Sequence, residues 1–153
     1  SKTKKCRCSA KDIRRYLDRI SGPLLDRIDI QMEVDAVPVK EIGEGGAAES
    51  SAEVGARVRK VRELQQARYA QDGIHCNAQL DAGLSKKYCP MTPEATALLH
   101  MAVERMGMSM RAYGRVVKVA RTIADMDGAD IIGTTHVAEA IQYRELDGKY
   151  WKG

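Results

Sequence analysis

Two arginines stand where a guanidinium could either close a local contact or meet a partner's negative charge. Arg27 falls in "LLDRIDI", residues 24 to 30, with Asp26 on one side and Asp29 two positions on. It can close a local ion pair with Asp26 or Asp29, or point outward at negative charge on a partner. Taken alone, the residues favour the local pair. Arg111 falls in "SMRAYG", within the first turn of a helix that Ser109 can cap. The helix dipole disfavours a cation there. A bound anion would reverse that cost, because a helix N-terminus and a guanidinium together suit a phosphate. The other reading is a solvated basic face, and residue types alone leave the two open. Arg115, Lys118 and Arg121 follow on the same helix, opposite its apolar side, and read as a solvated basic face.

Other reactive residue types carry less. Cys6 and Cys8 flank Arg7, and two thiolates cannot complete a tetrahedral metal site by themselves. Cys76 and Cys89 read as small, semi-buried residues, and His75, His100 and His136 show no ligand spacing. No metal site is expected. The chain contains no G-x-x-x-x-G-K-[ST]; "GEGGAAESS" is glycine-rich but lacks the lysine. These 153 residues are therefore not expected to hydrolyse a nucleotide unaided.

The elements that must position the arginines are mainly helical. Ser9 and Asp12 can frame a helix start, with Ile13, Tyr16, Leu17 and Ile20 on one stripe, and Ser21-Gly22-Pro23 ends it. Ile28, Ile30, Met32 and Val34 then alternate with polar residues, the period of a half-buried strand. A lone strand leaves both edges unpaired. Either a larger sheet completes it, or the segment takes another path. "AVPVKEIGEGGAAES" reads as a flexible linker over 36–50. A helix capped by Ser50 or Ser51 should follow, with Val54, Val58 and Val61 stacked, running to about Tyr69. "HCNAQLDAGL" can hold a short helix. Thr92-Pro93-Glu94 opens a further helix, with Ala95, Leu98, Leu99, Ala102, Val103 and Met106 inward and Gly107 as its stop. Ser109 caps the next, to about Met126, with Tyr113, Val116, Val117, Ala120, Ile123 and Ala124 on one face. Thr134 or Thr135 caps the last, with Val137, Ala140 and Ile141 inward.

The expected class is mainly α: a helical domain of four or so helices over 51–146, preceded over 1–35 by a helix and one strand, with a disordered tail over 147–153. Apolar residues make up 44% and charged residues 30%, as in an ordinary globular protein, and the formal charge of +4 permits a polyanionic partner without requiring one. No apolar run approaches the roughly 20 residues that span a bilayer, and the basic start lacks the apolar stretch of a signal peptide. A cytoplasmic location without membrane contact is expected.

In longer blocks, "CRCSAKDIRRYLDRISGPLLDRIDI", "ESSAEV", "CNAQL", "RAYGRVVKVARTIADMDG" and "HVAEAIQYR" resemble the C-terminal part of magnesium-chelatase-like AAA+ ATPases of the YifB/ComM type. The likeness runs from Cys6 to Arg144 and departs at Gly45-Gly46 and at Tyr69, where Phe is more usual. It implies a lid domain, preceded by the end of the ATPase core. It implies an ATP- and Mg2+-dependent parent that forms a ring of identical subunits, a hexamer, with neighbouring subunits as partners and DNA as what the ring works on. By position, Arg27 matches the arginine finger that a subunit offers to its neighbour's nucleotide, a catalytic role. Arg111 matches the sensor 2 arginine of the lid, a nucleotide-binding role. Cys6 and Cys8 match half of a four-thiolate site whose other half this chain lacks. With the resemblance, Arg27 is expected to face another chain. A small nucleic-acid-binding helical module, with Arg115, Lys118 and Arg121 on a phosphate backbone, is the alternative. A plain protein-docking module is a third.

Overall fold

A computed structural model of the chain describes residues 7–34 and 49–144. Most of the linker expected over 36–50, the tail expected over 147–153, and Cys6 lie outside the described residues. The fold is mainly α, and each helix begins where local chemistry supplies a partner for its first free N–H groups. α1 (Ala10–Leu17) starts at a reciprocal cap in which Ser9 and Asp12 answer each other. α2 (Gly22–Leu25) has Pro23 in its first turn and closes on Asp26. α3 (Ser51–Arg68) starts with the same reciprocal cap, made by Ser50 and Glu53.

After a single 3-10 turn at Asn77–Gln79, α4 (Ala82–Tyr88) is capped by Asp81, whose carboxylate accepts the Leu84 N–H at 2.8 Å. "HCNAQLDAGL" thus holds a 3-10 turn and the start of a helix. α5 (Pro93–Met106) runs from the Thr92 cap to Gly107, whose φ of 55° is the left-handed turn that favours glycine. α6 (Met110–Met126) follows from Ser109.

α7 (Thr134–Gln142) differs at its start from the sequence reading. Its cap is Gly133, not Thr134 or Thr135, and the ring of His136 reaches back so that Nδ1 accepts the Gly133 N–H at 2.9 Å. An imidazole replaces the hydroxyl because the backbone turns one residue earlier.

The core lies where α5 and α7 pack with α6. Leu99, Val116, Ala120, Ala124, Ile132 and Val137 are its centre, all buried. Alanines on α6 let the neighbouring helices approach closely. One parallel β-bridge, Met91 to Ile132, sets the starts of α5 and α7 side by side, with the Thr92 N–H on the Ile132 carbonyl at 3.0 Å.

The expected strand is not formed among the described residues. Ile28, Ile30, Met32 and Val34 are all exposed, Val34 to 86%. A strand needs a neighbour to take its outward N–H and C=O groups, and none stands beside this segment among the described residues. The Gln31 N–H instead meets the Tyr143 carbonyl at the end of α7, at 2.8 Å. The apolar stripe of α1 is likewise exposed at Ile13 and Tyr16, as are Ile20 just past its end and Val54 and Val58 on α3. None of the described helices is both long and apolar enough to cross a membrane.

Candidate functional site

Arg27 follows the short α2, whose last turn places the Arg27 N–H on the Leu24 carbonyl at 2.9 Å. Its side chain is exposed, and among the described residues its guanidinium has neither a hydrogen bond nor an ion pair. Both nearby carboxylates are engaged elsewhere. Asp26 Oδ2 accepts the Ser109 hydroxyl at 2.9 Å, and Asp29 pairs with Arg115. The local pair favoured by the residues alone is absent.

Arg111 is the second residue of α6 and is exposed. It lines a cavity of about 560 Å³ whose wall includes Lys86, Arg115 and Lys118 on its cationic side and Leu80 and Tyr113 on its apolar side. Arg115 is neutralised by Asp29, and Lys118 donates to the Ala78 carbonyl at 3.1 Å. Arg111 has no such engagement among the described residues. The Asp26–Ser109 bond brings the Arg27 turn to the start of the helix that carries Arg111. Both guanidinium groups therefore leave the fold from adjoining backbone.

The basic face expected along α6 is corrected by the structure. Arg121 is 1% exposed and belongs to the interior. Its Nε donates to Asp125 Oδ1 at 3.0 Å, its Nη1 to the Asp130 carbonyl at 2.7 Å, and its Nη2 to the Ala129 carbonyl. Asp125 also takes the Arg68 guanidinium at 3.0 and 2.5 Å, the Asn77 amide at 2.8 Å and the Gln65 amide at 3.2 Å. Burial alone would raise this carboxyl's pKa. The bonds from Arg68 and Asn77 and the charges of Arg121 and Arg68 outweigh that and hold it below the ordinary carboxylate value. With Arg115 and Arg121 tied up in this way, α6 offers little to a phosphate backbone. The i, i+4 spacing of Arg121 and Asp125 was the available sign of this pair.

Tyr69, where Phe is more usual in the resembling family, is fully buried and donates its hydroxyl to Asn77 Oδ1 at 2.6 Å. It thus joins the same network, and an apolar ring could not.

Cys8 is exposed, Cys76 is half-buried and Cys89 is buried, where desolvation pushes its thiol up to about 11. Among the described residues, no three His, Cys, Asp or Glu side chains gather where they could hold a metal ion. A nucleoside triphosphate fits these residues in part. Two unengaged guanidinium groups suit phosphate oxygens, while the loop and lysine that would grip the phosphate chain are not in this sequence.

Fold and site together define a helical domain with two exposed arginines whose side chains are unengaged among the described residues. The chain belongs to the magnesium chelatase subunit ChlI family: residues 48–144 match its C-terminal region, and residues 1–42 match the ChlI subunit family itself. It is 40% identical over 141 residues to Competence protein ComM of Haemophilus influenzae, and 39% identical over 142 residues to the uncharacterized protein YifB of Escherichia coli. Each alignment covers 92% of this chain and 27% of the relative. A mycobacterial relative, the uncharacterized protein Rv2897c of Mycobacterium tuberculosis, is 33% identical over 146 residues, 94% of this chain and 28% of that protein. The chain thus spans about a quarter of the length of the curated relatives it matches.

Proposed function

We propose that this chain is the lid domain, with the adjoining end of the core, of a cytoplasmic AAA+ ATPase that works as a hexameric ring. In this reading Arg27 is the finger offered to the neighbouring subunit's nucleotide, and Arg111 is the lid arginine that binds the same phosphate chain. One observation carries it: Arg27 keeps its guanidinium unengaged although Asp26 and Asp29 lie beside it, because Ser109 and Arg115 have taken those carboxylates. A cation left unpaired beside two acids is a cation kept for another chain. Asp26 and Ser109 tether the two arginines, which supports their acting on one nucleotide rather than on two.

The chemistry is charge stabilisation. Negative charge grows on the phosphoryl oxygens as the terminal phosphate transfers, and a guanidinium fork meets two oxygens without ever losing its proton. Mg2+, bound by residues outside this region, would neutralise charge on the same phosphates. DNA as what the ring works on rests on the ComM-type resemblance alone.

The test is ATP hydrolysis by the full-length protein carrying Arg27→Ala or Arg111→Ala, with ring mass followed by light scattering. Loss of the finger should slow hydrolysis by about 10³- to 10⁵-fold while the ring still assembles. Unchanged turnover in both variants would remove the reading.

A further inference from the structure

The turn that carries Arg27 is fastened to the helical domain by side chains for which the phosphate chemistry has no use. Ser109 donates its hydroxyl hydrogen to Asp26 Oδ2 at 2.9 Å, while its own Oγ accepts the Ala112 N–H at 3.1 Å. A hydroxyl has one donor and two acceptor positions, so capping the helix and holding Asp26 do not compete. Asp26 Oδ1 faces Arg144 Nη2 at 3.8 Å, and Arg144 Nη1 donates to the Ile28 carbonyl at 2.7 Å. The Arg144 side chain is 1% exposed and comes from the residues just past α7. Asp29 is tied to Arg115 on α6. Positions 26, 28 and 29 are therefore each held from the helical domain, and position 27 between them is left unengaged.

Without these ties, little local structure would fix Arg27. α2 is four residues long, far below the length at which a helix is stable by itself. We propose that Asp26, Ser109 and Arg144 form a latch that makes the Arg27 turn and the first turn of α6 one mechanical unit, with Asp26 as a positioning residue. The inference rests on the reading of Arg27 and Arg111 as phosphate-facing groups and adds how their spacing is set. It follows that the finger travels with the lid: a lid movement presents or withdraws both guanidinium groups together.

The experiment uses the full-length protein with Asp26→Ala, Ser109→Gly and Asp26→Asn beside Arg27→Ala and Arg111→Ala. Glycine remains a serviceable helix cap, so Ser109→Gly removes the latch bond and spares α6. Asparagine still accepts from Ser109. A displacement of about 1 Å at a reacting group can cost about a hundredfold in rate. The Ala and Gly variants should therefore lose about ten- to a hundredfold in kcat, with KM within about threefold. Asp26→Asn should recover most of it. Hydrogen exchange should quicken over residues 24–31 in the Ala and Gly variants while the amides of α5 and α7 keep their protection. A merely structural role would instead lower kcat in step with the folded fraction and loosen the whole domain. Full kcat in Asp26→Ala and Ser109→Gly, with Arg27→Ala inactive, overturns the latch and leaves the nucleotide reading standing. Full activity in Arg27→Ala and Arg111→Ala overturns the nucleotide reading and the positioning role with it. Unchanged exchange over residues 24–31 in both latch variants overturns the mechanical coupling in either case.

Discussion

Asp125 on α6 receives both terminal nitrogens of Arg68, a residue 57 positions earlier at the end of α3, at 3.0 and 2.5 Å. The same carboxylate takes Arg121, one turn back on its own helix. This pairing fastens α3 to the three-helix core where α3 contributes little buried apolar surface of its own, Gln65 being its one buried residue. Asp125→Ala should therefore be costly. It leaves the Arg121 charge buried without its carboxylate, and removing one partner of a buried pair costs about 3–5 kcal/mol. Urea unfolding should show a lower midpoint, and limited proteolysis should cut first within α3.

Acid should act on the same group. The folded-state pKa of Asp125 is depressed, so the unfolded chain binds its proton first as pH falls. The stability it contributes is complete above the unfolded carboxyl value, about 3.9. It is lost as pH drops from there through the lower folded value. Asp125→Asn should flatten the pH dependence of the melting temperature below about pH 4. An unchanged acid limb in that variant would show that another carboxylate governs it.

Cys89 should be chemically silent in the folded protein. It is buried, and burial pushes its thiol up to about 11, so at neutral pH it holds almost no thiolate. Iodoacetamide followed by peptide mass spectrometry should label exposed Cys8 at once and Cys89 only after denaturant is added.

Two truncations to alanine should separate the core from the overhang. Leu99 is fully buried among α5, α6 and α7, and Leu99→Ala should cost about 2–5 kcal/mol. Val58 on α3 is 51% exposed despite its place in an apolar stripe, so Val58→Ala should change stability by less than about 0.5 kcal/mol. Chemical denaturation of the two variants side by side checks both.

Much of the helical domain was legible in the residues. Ser9, Thr92 and Ser109 cap the helices they were expected to cap, Ser50 is the one of the two candidate serines that caps α3, and Gly107 ends α5 in the left-handed turn. The apolar face of α6, from Tyr113 to Ala124, is the face that enters the core. These signals are local: a cap involves three or four neighbouring residues, and a helix face repeats every turn. Other features were illegible for a common reason. Alternation at Ile28, Ile30, Met32 and Val34 describes a strand only if a sheet stands beside it, and no local signal reveals the neighbour. Arg121 carries the same charge as Arg115 and Lys118, so nothing in its type distinguished the buried arginine from its half-buried companions. The early start of α7 depended on a histidine ring reaching back over one turn.

The residue order alone determined the mainly helical class, the capped helix starts and the long blocks that place the chain in its family, because each depends on neighbours within a few positions. The tertiary structure decided which charges are spent inside the fold and which are left over. Asp26 and Asp29 lie beside Arg27 in the chain, yet Ser109 and Arg115, more than eighty residues away, hold them. A charge pairs with whatever folding brings within a few ångströms, and along a chain that returns on itself this is seldom its neighbour in sequence.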